Sequence, residues 1–397
     1  MNRLEDIWWN AADGAPGALA APLALAEGAF RVAAALRAAL YAARLLPVAR
    51  AGAPVVSIGN LAVGGAGKTP ATLAVAERLA ARGRRVAVLS RGYGADRTDS
   101  RVVSDGRRVL LDAAQAGDEP FLLARRLPGV AVLCGPRRAE LARRAVEQLR
   151  ADALVLDDGF QHRALARDLD VVVVDAASPT GNGRLLPRGP NREPWAALRR
   201  AQLCWISRCD QVPAVALSAL RHRLRDATGR PPVVSRHAAE DVLDGPLETS
   251  LGVDFLRGRR VLLLCALARP DGFRRTLADL GAEAAAERVF RDHHRFTAAE
   301  LEEVLQAATR AGCDAVVTTE KDAVRLPPSL AAHPLLRVVR IRAEIVEGAE
   351  VLEELLEGVL AATPARDRSP SALSVALPEA ARSRRASTST PTSTNRE

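Results

Sequence analysis

Short apolar runs alternate along this chain with longer stretches in which apolar residues recur every three or four positions. Val86-Ala-Val-Leu-Ser90, Ala153-Leu-Val-Leu156 and Val171-Val-Val-Val174 predict buried strands, and an earlier run opening at Val55 leads into a helical pattern over Ala71–Arg82. Strand and helix signals in alternation predict an α/β fold with a largely parallel sheet. A second set follows: strand Arg260–Cys265, helices over 271–280 and 297–311, strands Ala315–Thr318 and Leu336–Ile341, and a helix over 346–361. Between the sets, 211–257 carries Pro213 and Pro231-Pro232 and little periodicity beyond a helix near 214–227, so it reads as a connector. The expected organisation is an N-terminal helical segment 1–50, a first domain 51–210, the connector 211–257 and a smaller α/β domain 258–362. A tail over 363–397, rich in Ser, Thr, Pro and Arg, is expected to be disordered, because it cannot bury enough apolar surface to offset chain entropy.

Residues 18–49 are mostly alanine and leucine, with Glu27, Arg31, Arg37 and Arg44 between them. At about 100° per residue these four charges share an arc of roughly 140°, and the opposite face is apolar. Pro22 suits the first turn of a helix and Pro47 its end. Two placements fit: packed on the domain core, or lying in a membrane interface with arginines towards anionic headgroups. On pattern alone the expectation is the core.

Composition alters this picture in few places. The chain has 397 residues and a net charge of +9. Six arginines against three acids fall within 366–397, and the remaining basic residues are scattered among acids. Aromatic residues make up only 3%, which leaves few stacking platforms, so nucleic acid is not the expected partner. Five cysteines (134, 204, 209, 265 and 313) without C-x-x-C spacing argue against a disulfide framework or a structural zinc site. No secretory signal is evident.

Of 56 basic residues only Lys68 and Lys321 are lysine. Lysine in an arginine-dominated chain marks places where a compact ammonium and a planar fork are not interchangeable. Lys68 lies in Val55-Val-Ser-Ile-Gly-Asn-Leu-Ala-Val-Gly-Gly-Ala-Gly-Lys-Thr-Pro70, a strand, glycine-rich turn and helix in series. That is the layout of a phosphate-binding loop made of Ala62, Val63, Gly64, Gly65, Ala66, Gly67, Lys68 and Thr69. Backbone N–H groups converge on phosphate oxygens, the lysine reaches the β/γ-phosphates and the threonine ligates Mg²⁺. The strict pattern has glycine where Ala62 stands. Asp157-Asp-Gly-Phe-Gln-His162 places two carboxylates at a strand end, where such proteins keep a metal-holding aspartate. Ser90-Arg-Gly-Tyr93 ends another strand at the edge where open α/β sheets bind ligands. Gly117-Asp-Glu-Pro120 precedes a helix, Asp292-His-His294 precedes a capping box at Thr297 and Glu300, and Thr318-Thr-Glu-Lys-Asp322 holds the second lysine in either a site or a local ion network.

In order and spacing these segments resemble the tetraacyldisaccharide 4′-kinase family of lipid A synthesis, over about residues 1–362. The resemblance implies a P-loop NTPase-like domain with a smaller α/β domain. It also implies ATP- and Mg²⁺-dependent phosphorylation of the 4′-hydroxyl of a tetraacyl glucosamine disaccharide 1-phosphate, yielding a lipid IVA type product. The work would be done peripherally, on the anionic surface at the cytoplasmic face of the inner membrane, with no obligatory protein partner. Lys68 and Thr69 would serve ATP and the metal, and Asp157 or Asp158 the metal. Asp118 would accept the hydroxyl proton, supported by His293, with Asn60, Arg91, Tyr93, Gln161 and His162 as candidate substrate contacts. A lipid acceptor also moves the expectation for the N-terminal helix from the core to the interface. Two other classes remain: a GTP-switch or metal-insertion P-loop protein, although neither lysine follows an asparagine as guanine recognition commonly requires, and a non-enzymatic basic membrane- or nucleic-acid-binding module.

Overall fold

The apolar runs singled out above all become strands of the same sheet. The computed structural model describes residues 8–9, 17–93, 95–96, 99–245, 249–327 and 333–362. The expected disordered tail lies outside the described residues. In chain order the strands are β1 (Val55–Gly59), β2 (Val86–Ser90), β3 (Arg101–Asp105), β4 (Ala131–Cys134), β5 (Ala153–Asp157), β6 (Leu169–Asp175), β7 (Leu203–Ser207), β8 (Val233–Asp244), β9 (Thr249–Ser250), β10 (Arg260–Cys265), β11 (Glu283–Val289), β12 (Ala315–Thr319) and β13 (Leu336–Glu347). They lie in the order β11-β10-β12-β13-β8-β7-β6-β1-β5-β2-β4-β3, with β9 added to β8. Every residue of β1, β2, β5, β6 and β7 is buried, which is why these strands read as continuous apolar runs and not as alternating ones.

The helices include α1 (Gly17–Ala42), α2 (Lys68–Ala81), α3 (Asp118–Arg126), α4 (Arg138–Glu147), α5 (Ala214–Thr228), α6 (Asp271–Asp279), α7 (Ala298–Arg310), α8 (Glu320–Ala323) and α9 (Ala349–Ala362), and a further single turn spans Ala113–Ala116. Val75 and Leu79 of α2 meet Leu352 and Leu356 of α9 in one core layer, while Leu141 and Val146 of α4 close the opposite face of the sheet.

The direction of the strands decides where a site can form. β8 begins in parallel with β7, pairing Trp205 with Val233. It then runs antiparallel to β13 over nearly its whole length, from Val234↔Glu347 to Asp244↔Arg337. The first residues of β13 pair in parallel with β12. Hence β12 runs opposite to β7, and the carboxyl ends of the two parallel blocks point at one another across roughly 20 Å of the β8–β13 ribbon. The segment expected as a connector therefore contains a 12-residue strand of the sheet. Its apolar residues are concentrated at the two ends, Val233-Val234 and Val242-Leu243, so a period-2 signal is missing from the middle. β13 likewise runs to Glu347, further than Ile341, because β8 keeps it paired.

α1 departs from expectation in an informative way. It starts at Gly17, so Pro22 lies inside the helix, and it ends at Ala42, where Arg44 adopts a left-handed conformation (φ 58°). Its charged side faces the protein. Glu27 is buried, accepts from the Leu185 N–H at 3.0 Å and pairs with Arg31, and Arg37 donates to the Gln161 carbonyl at 3.1 Å. The outward face carries Leu25, Val32 and Leu36, which are 79%, 68% and 59% exposed. Packing on the core through the apolar face, the expectation from pattern alone, is thus corrected. Arg31 and Arg37 stand at the edge of this charged side, both still exposed while bonded to Glu27 and to the Gln161 carbonyl.

Candidate active site

The glycine-rich loop leaves β1 and enters α2 without an intervening cap. Gly67 stands before Lys68 in the left-handed region (φ 85°), and a Cβ there would lie 2.9 Å from His237 Nε2. Only glycine meets both demands. Gly59 is equally constrained, because a Cβ would come within 2.5 Å of Phe160 Cβ. Ala62 breaks the strict pattern without distorting it: it bridges to Asn191, while the Val63 N–H donates to Pro190 at 2.8 Å. The far side of the loop is held by Ser207 Oγ donating to the Ala66 carbonyl (2.7 Å) and Arg208 donating to the Gly65 carbonyl (2.8 Å). Lys68 Nζ lies over its own loop, 3.2 Å from Asn60 Oδ1, 3.4 Å from the Gly64 carbonyl and 3.6 Å from Asp158 Oδ1. A lysine at a helix N-terminus forms a ready anion site.

The two neighbouring carboxylates have different surroundings. Asp157 ends β5, is buried and accepts from the hydroxyls of Thr72 (3.2 Å) and Ser90 (3.0 Å). The α2 hydroxyl bonded to it is thus that of Thr72, one turn beyond Thr69. Burial, then the Glu119 and Asp158 charges, push the Asp157 carboxyl up from the ordinary range. Asp158, left-handed at φ 53°, pairs with Lys68 and with Arg192 at 2.7 Å. Burial works against its ionised form, but those two cations outweigh it and hold the carboxyl low.

Across the cleft, Asp118 opens α3 and His293 lies in the loop after β11. Although 175 positions apart, His293 Nδ1 is 3.3 Å from Asp118 Oδ2. Arg325, just past α8, donates through Nε to the same oxygen at 2.6 Å. Lys321 Nζ donates to Asp292 at 3.2 Å and lies 3.5 Å from His293 Nε2. One carboxyl edge therefore brings the loop and the acid pair Asp157-Asp158, and the other brings an imidazole to meet Asp118.

Residues 19–361 match the family model for tetraacyldisaccharide-1-P 4′-kinase, LpxK. The chain belongs to this kinase family. It is 69% identical to the tetraacyldisaccharide 4′-kinase of Anaeromyxobacter dehalogenans (strain 2CP-1) over 364 residues, which cover 91% of this chain and 96% of that protein. The corresponding kinase of Pelobacter propionicus is 43% identical over 292 residues, covering 73% and 79%. Among solved structures, LpxK from Aquifex aeolicus in complex with ATP superposes with a TM-score of 0.67 at 27% identity, covering 84% of this chain and 96% of that one.

In this kinase the other candidate contacts divide into two groups. Gln161 is occupied within the protein: its Nε2 donates to the Asn60 carbonyl at 3.0 Å, its Oε1 accepts from Arg192, and its carbonyl accepts from Arg37 of α1. Asn60 likewise holds Lys68 and the loop carbonyl of Ala62. Tyr93, by contrast, is exposed and its ring meets His293 edge-on at 5.6 Å, and Arg91 is exposed too. His162 is kept neutral, down to about 4, first by burial and then by the charges of Arg138, Arg167, Arg37 and Arg91. The segment of the second lysine serves both a site edge and an ion network: Lys321 pairs with Asp292 (3.2 Å), and its neighbour Glu320 pairs with Arg126 (2.6 Å) and Arg340 (2.9 Å). His294 is engaged with the capping box, its Nε2 3.0 Å from Glu300 Oε2.

Sequence reasoning missed Arg192, Arg325 and a buried carboxylate, Asp175, which Arg208 and Arg269 share beside the loop. Arginine is so abundant here that its presence marks nothing. For Arg325 a usable signal existed, since it follows Asp322 by three positions and closes an i,i+3 pair at 3.2 Å.

Proposed function

We propose that this chain transfers the γ-phosphoryl group of ATP to the 4′-hydroxyl of a tetraacyl glucosamine disaccharide 1-phosphate, giving ADP and a lipid IVA type product. The observation that carries the reading is the 3.3 Å contact between Asp118 and His293, made across facing carboxyl edges opposite the phosphate-binding loop. In the step, the 4′-oxygen forms a bond to the γ-phosphorus while the bond from that phosphorus to the β–γ bridging oxygen breaks. The hydroxyl proton passes to Asp118 with His293 in support, and Lys68 and the loop N–H groups hold the phosphates in line. Acceptor-side roles for Arg91 and Tyr93 fit their exposure beside His293.

Mg²⁺ fits the donor set. The charges of Glu119 and Asp158 add to burial in pushing the Asp157 carboxyl up, and a divalent cation would relieve that repulsion. Thr69 and Asp157 or Asp158 would hold it together with ATP oxygens; among the described residues no three or more His, Cys, Asp or Glu side chains are grouped to hold a metal by themselves. Bound there, the ion supplies charge neutralisation at the β- and γ-phosphates.

The acceptor's acyl chains keep it in a bilayer, so the enzyme works at a surface. The outward apolar face of α1 supports a peripheral site at the cytoplasmic face of the inner membrane; its Leu19–Ala42 stretch is long and apolar enough to meet the length and composition of a membrane helix. The test is transfer of labelled γ-phosphate from ATP to the tetraacyl acceptor in mixed micelles. Asp118→Ala and His293→Ala should each lower kcat about 10²-fold or more, and the double variant should lose far less than the product, as residues acting as one unit do. A folded wild-type chain that leaves the lipid unlabelled would refute the assignment.

A further inference from the structure

Arg325 is 2% exposed at its side chain and sends three nitrogens in three directions. Nε donates to Asp118 Oδ2 at 2.6 Å, Nη1 donates to Asp322 Oδ1 at 3.2 Å, and Nη2 lies 3.3 Å from His293 Nδ1. Asp322 is fully buried and is itself fixed, accepting from the Ala266 N–H at 3.1 Å and the Thr319 hydroxyl at 2.9 Å. A continuous line of bonds therefore runs from the end of β10 through Asp322 and Arg325 to Asp118.

The same geometry selects a tautomer. Around the imidazole, Arg325 and Lys321 are donors only, and ionised Asp118 accepts only. Nε2 faces Lys321 at 3.5 Å, with Asp292 as far as 4.0 Å. A proton on Nδ1 serves two of these three partners, since it is donated to Asp118 and leaves the Nε2 lone pair facing Lys321, with Arg325 Nη2 set against the Nδ1–H. With the proton on Nε2 instead, two donors would compete and Asp118 would lose its imidazole bond.

We propose that Arg325 is a positioning residue of the phosphoryl-transfer step, pinning the Asp118 carboxylate so that His293 is held as the Nδ1–H tautomer donating to it. The assignment rests on the kinase reading above. Arginine suits the task because a planar fork reaches three separate groups, where an ammonium on one flexible stem cannot. Asp118's own state agrees: burial opposes its charge, but the His293 bond and the Arg325 charge outweigh it and hold the carboxyl below the ordinary range. The charged groups about the pair are Arg325 and Asp322 from the α8 turn, Lys321 from α8, Asp292 from the His293 loop and Glu119 from α3.

The experiment compares wild type with Arg325→Lys, Asp118→Asn and their double variant in the labelled-phosphate assay, alongside imidazole ¹⁵N NMR of His293 in the full chain. Arg325→Lys should lower kcat about 30-fold with KM for ATP within about twofold, and the acid limb of the kcat profile should move to higher pH as Asp118 loses its fixed partner. Wild type should show the Nδ1–H pattern and Arg325→Lys a mixture of tautomers. In the Asp118→Asn background the lysine substitution should change kcat by less than about twofold, because its effect travels through Asp118. Should Arg325→Lys fail to fold, Asp322→Asn loosens the same line of bonds from behind and should show the same tautomer mixing. An equal loss in both backgrounds, or an unchanged imidazole spectrum with kcat reduced, overturns the proposal while leaving the kinase reading intact; an inactive wild type defeats that reading instead.

Discussion

Lys68 is where residue identity carries most information, because the chain replaces lysine by arginine almost everywhere else. Its Nζ has three oxygen neighbours within 3.6 Å, a spacing a point charge fits and a planar fork does not. Lys68→Ala should lower phosphoryl transfer ~10³-fold and Lys68→Arg nearly as much, with unfolding midpoints close to wild type. Near-normal turnover in well-folded Lys68→Ala would end its assignment to the phosphates. Histidines supply a pH prediction. His237 Nε2 is buried against the loop without a partner, and burial followed by the Arg208 charge holds the ring down to about 3. With His162 at about 4, both folded values lie below the unfolded value near 6.5, so the unfolded chain binds protons first as pH falls. Their contribution is complete above pH 6.5 and is lost progressively from there towards 4 and 3. Melting temperature should therefore drop between pH 7 and 5, and His237→Gln should flatten that slope; an unchanged slope would mean the ring is not desolvated. Motif residues such as Lys68 and Asp157 were legible because their chemistry needs one residue type at a fixed spacing. Arg192 was not, because its meaning lies in contacts that only the fold creates, and Arg325 offered only its i,i+3 spacing from Asp322.

Among the elements, strands with both faces covered were the most readable and β8 the least. β5 and β6 are apolar at nearly every position, whereas β8 carries polar and small residues through the middle of the ribbon, where fewer groups cover it. α1 shows the opposite error: the sharing of one arc by its charges was legible, but which arc faces the protein was not. Glu27 decides that, since a buried carboxylate needs the Leu185 N–H and the Arg31 and Arg188 cations that only the folded chain supplies. Leu25, Val32 and Leu36 are then left outward, and each is worth about 1.5–3 kcal/mol when moved from water into an apolar phase. Changing all three to glutamine should weaken binding to anionic vesicles by ~10²-fold or more and raise KM for acceptor presented in bilayers. KM for ATP and the melting temperature should hardly move, because these side chains bury little in the protein. Undiminished vesicle binding would place the membrane contact elsewhere.

At the scale of the whole molecule, α3 joins the two strand blocks. Its first residue, Asp118, meets Arg325 and His293, and its last, Arg126, donates to Glu320 at 2.6 Å, to Glu240 at 2.6 Å and to the Ile341 carbonyl at 3.2 Å. Both ends of one nine-residue helix are thus tied to the opposite block, so the reacting carboxylate is placed by contacts at each end. Arg126 and Glu320 are each 6% exposed at the side chain, and removing one partner of such a buried pair leaves an uncompensated charge worth about 3–5 kcal/mol. Arg126→Met should therefore cost about that much in urea unfolding, and Glu320→Gln somewhat less, since a glutamine still offers an acceptor. The double variant should recover about 1–3 kcal/mol relative to the sum, the coupling expected of residues in direct contact. If α3 transmits position as well as stability, kcat should fall in each single variant at temperatures where the protein remains fully folded, with KM for ATP little changed because the loop is anchored separately by Ser207 and Arg208. Additive stability losses would show that the pair is not coupled. Coupled losses with an unaltered kcat would leave Arg126 as a structural tie, with Asp118 placed by Arg325 and His293 alone.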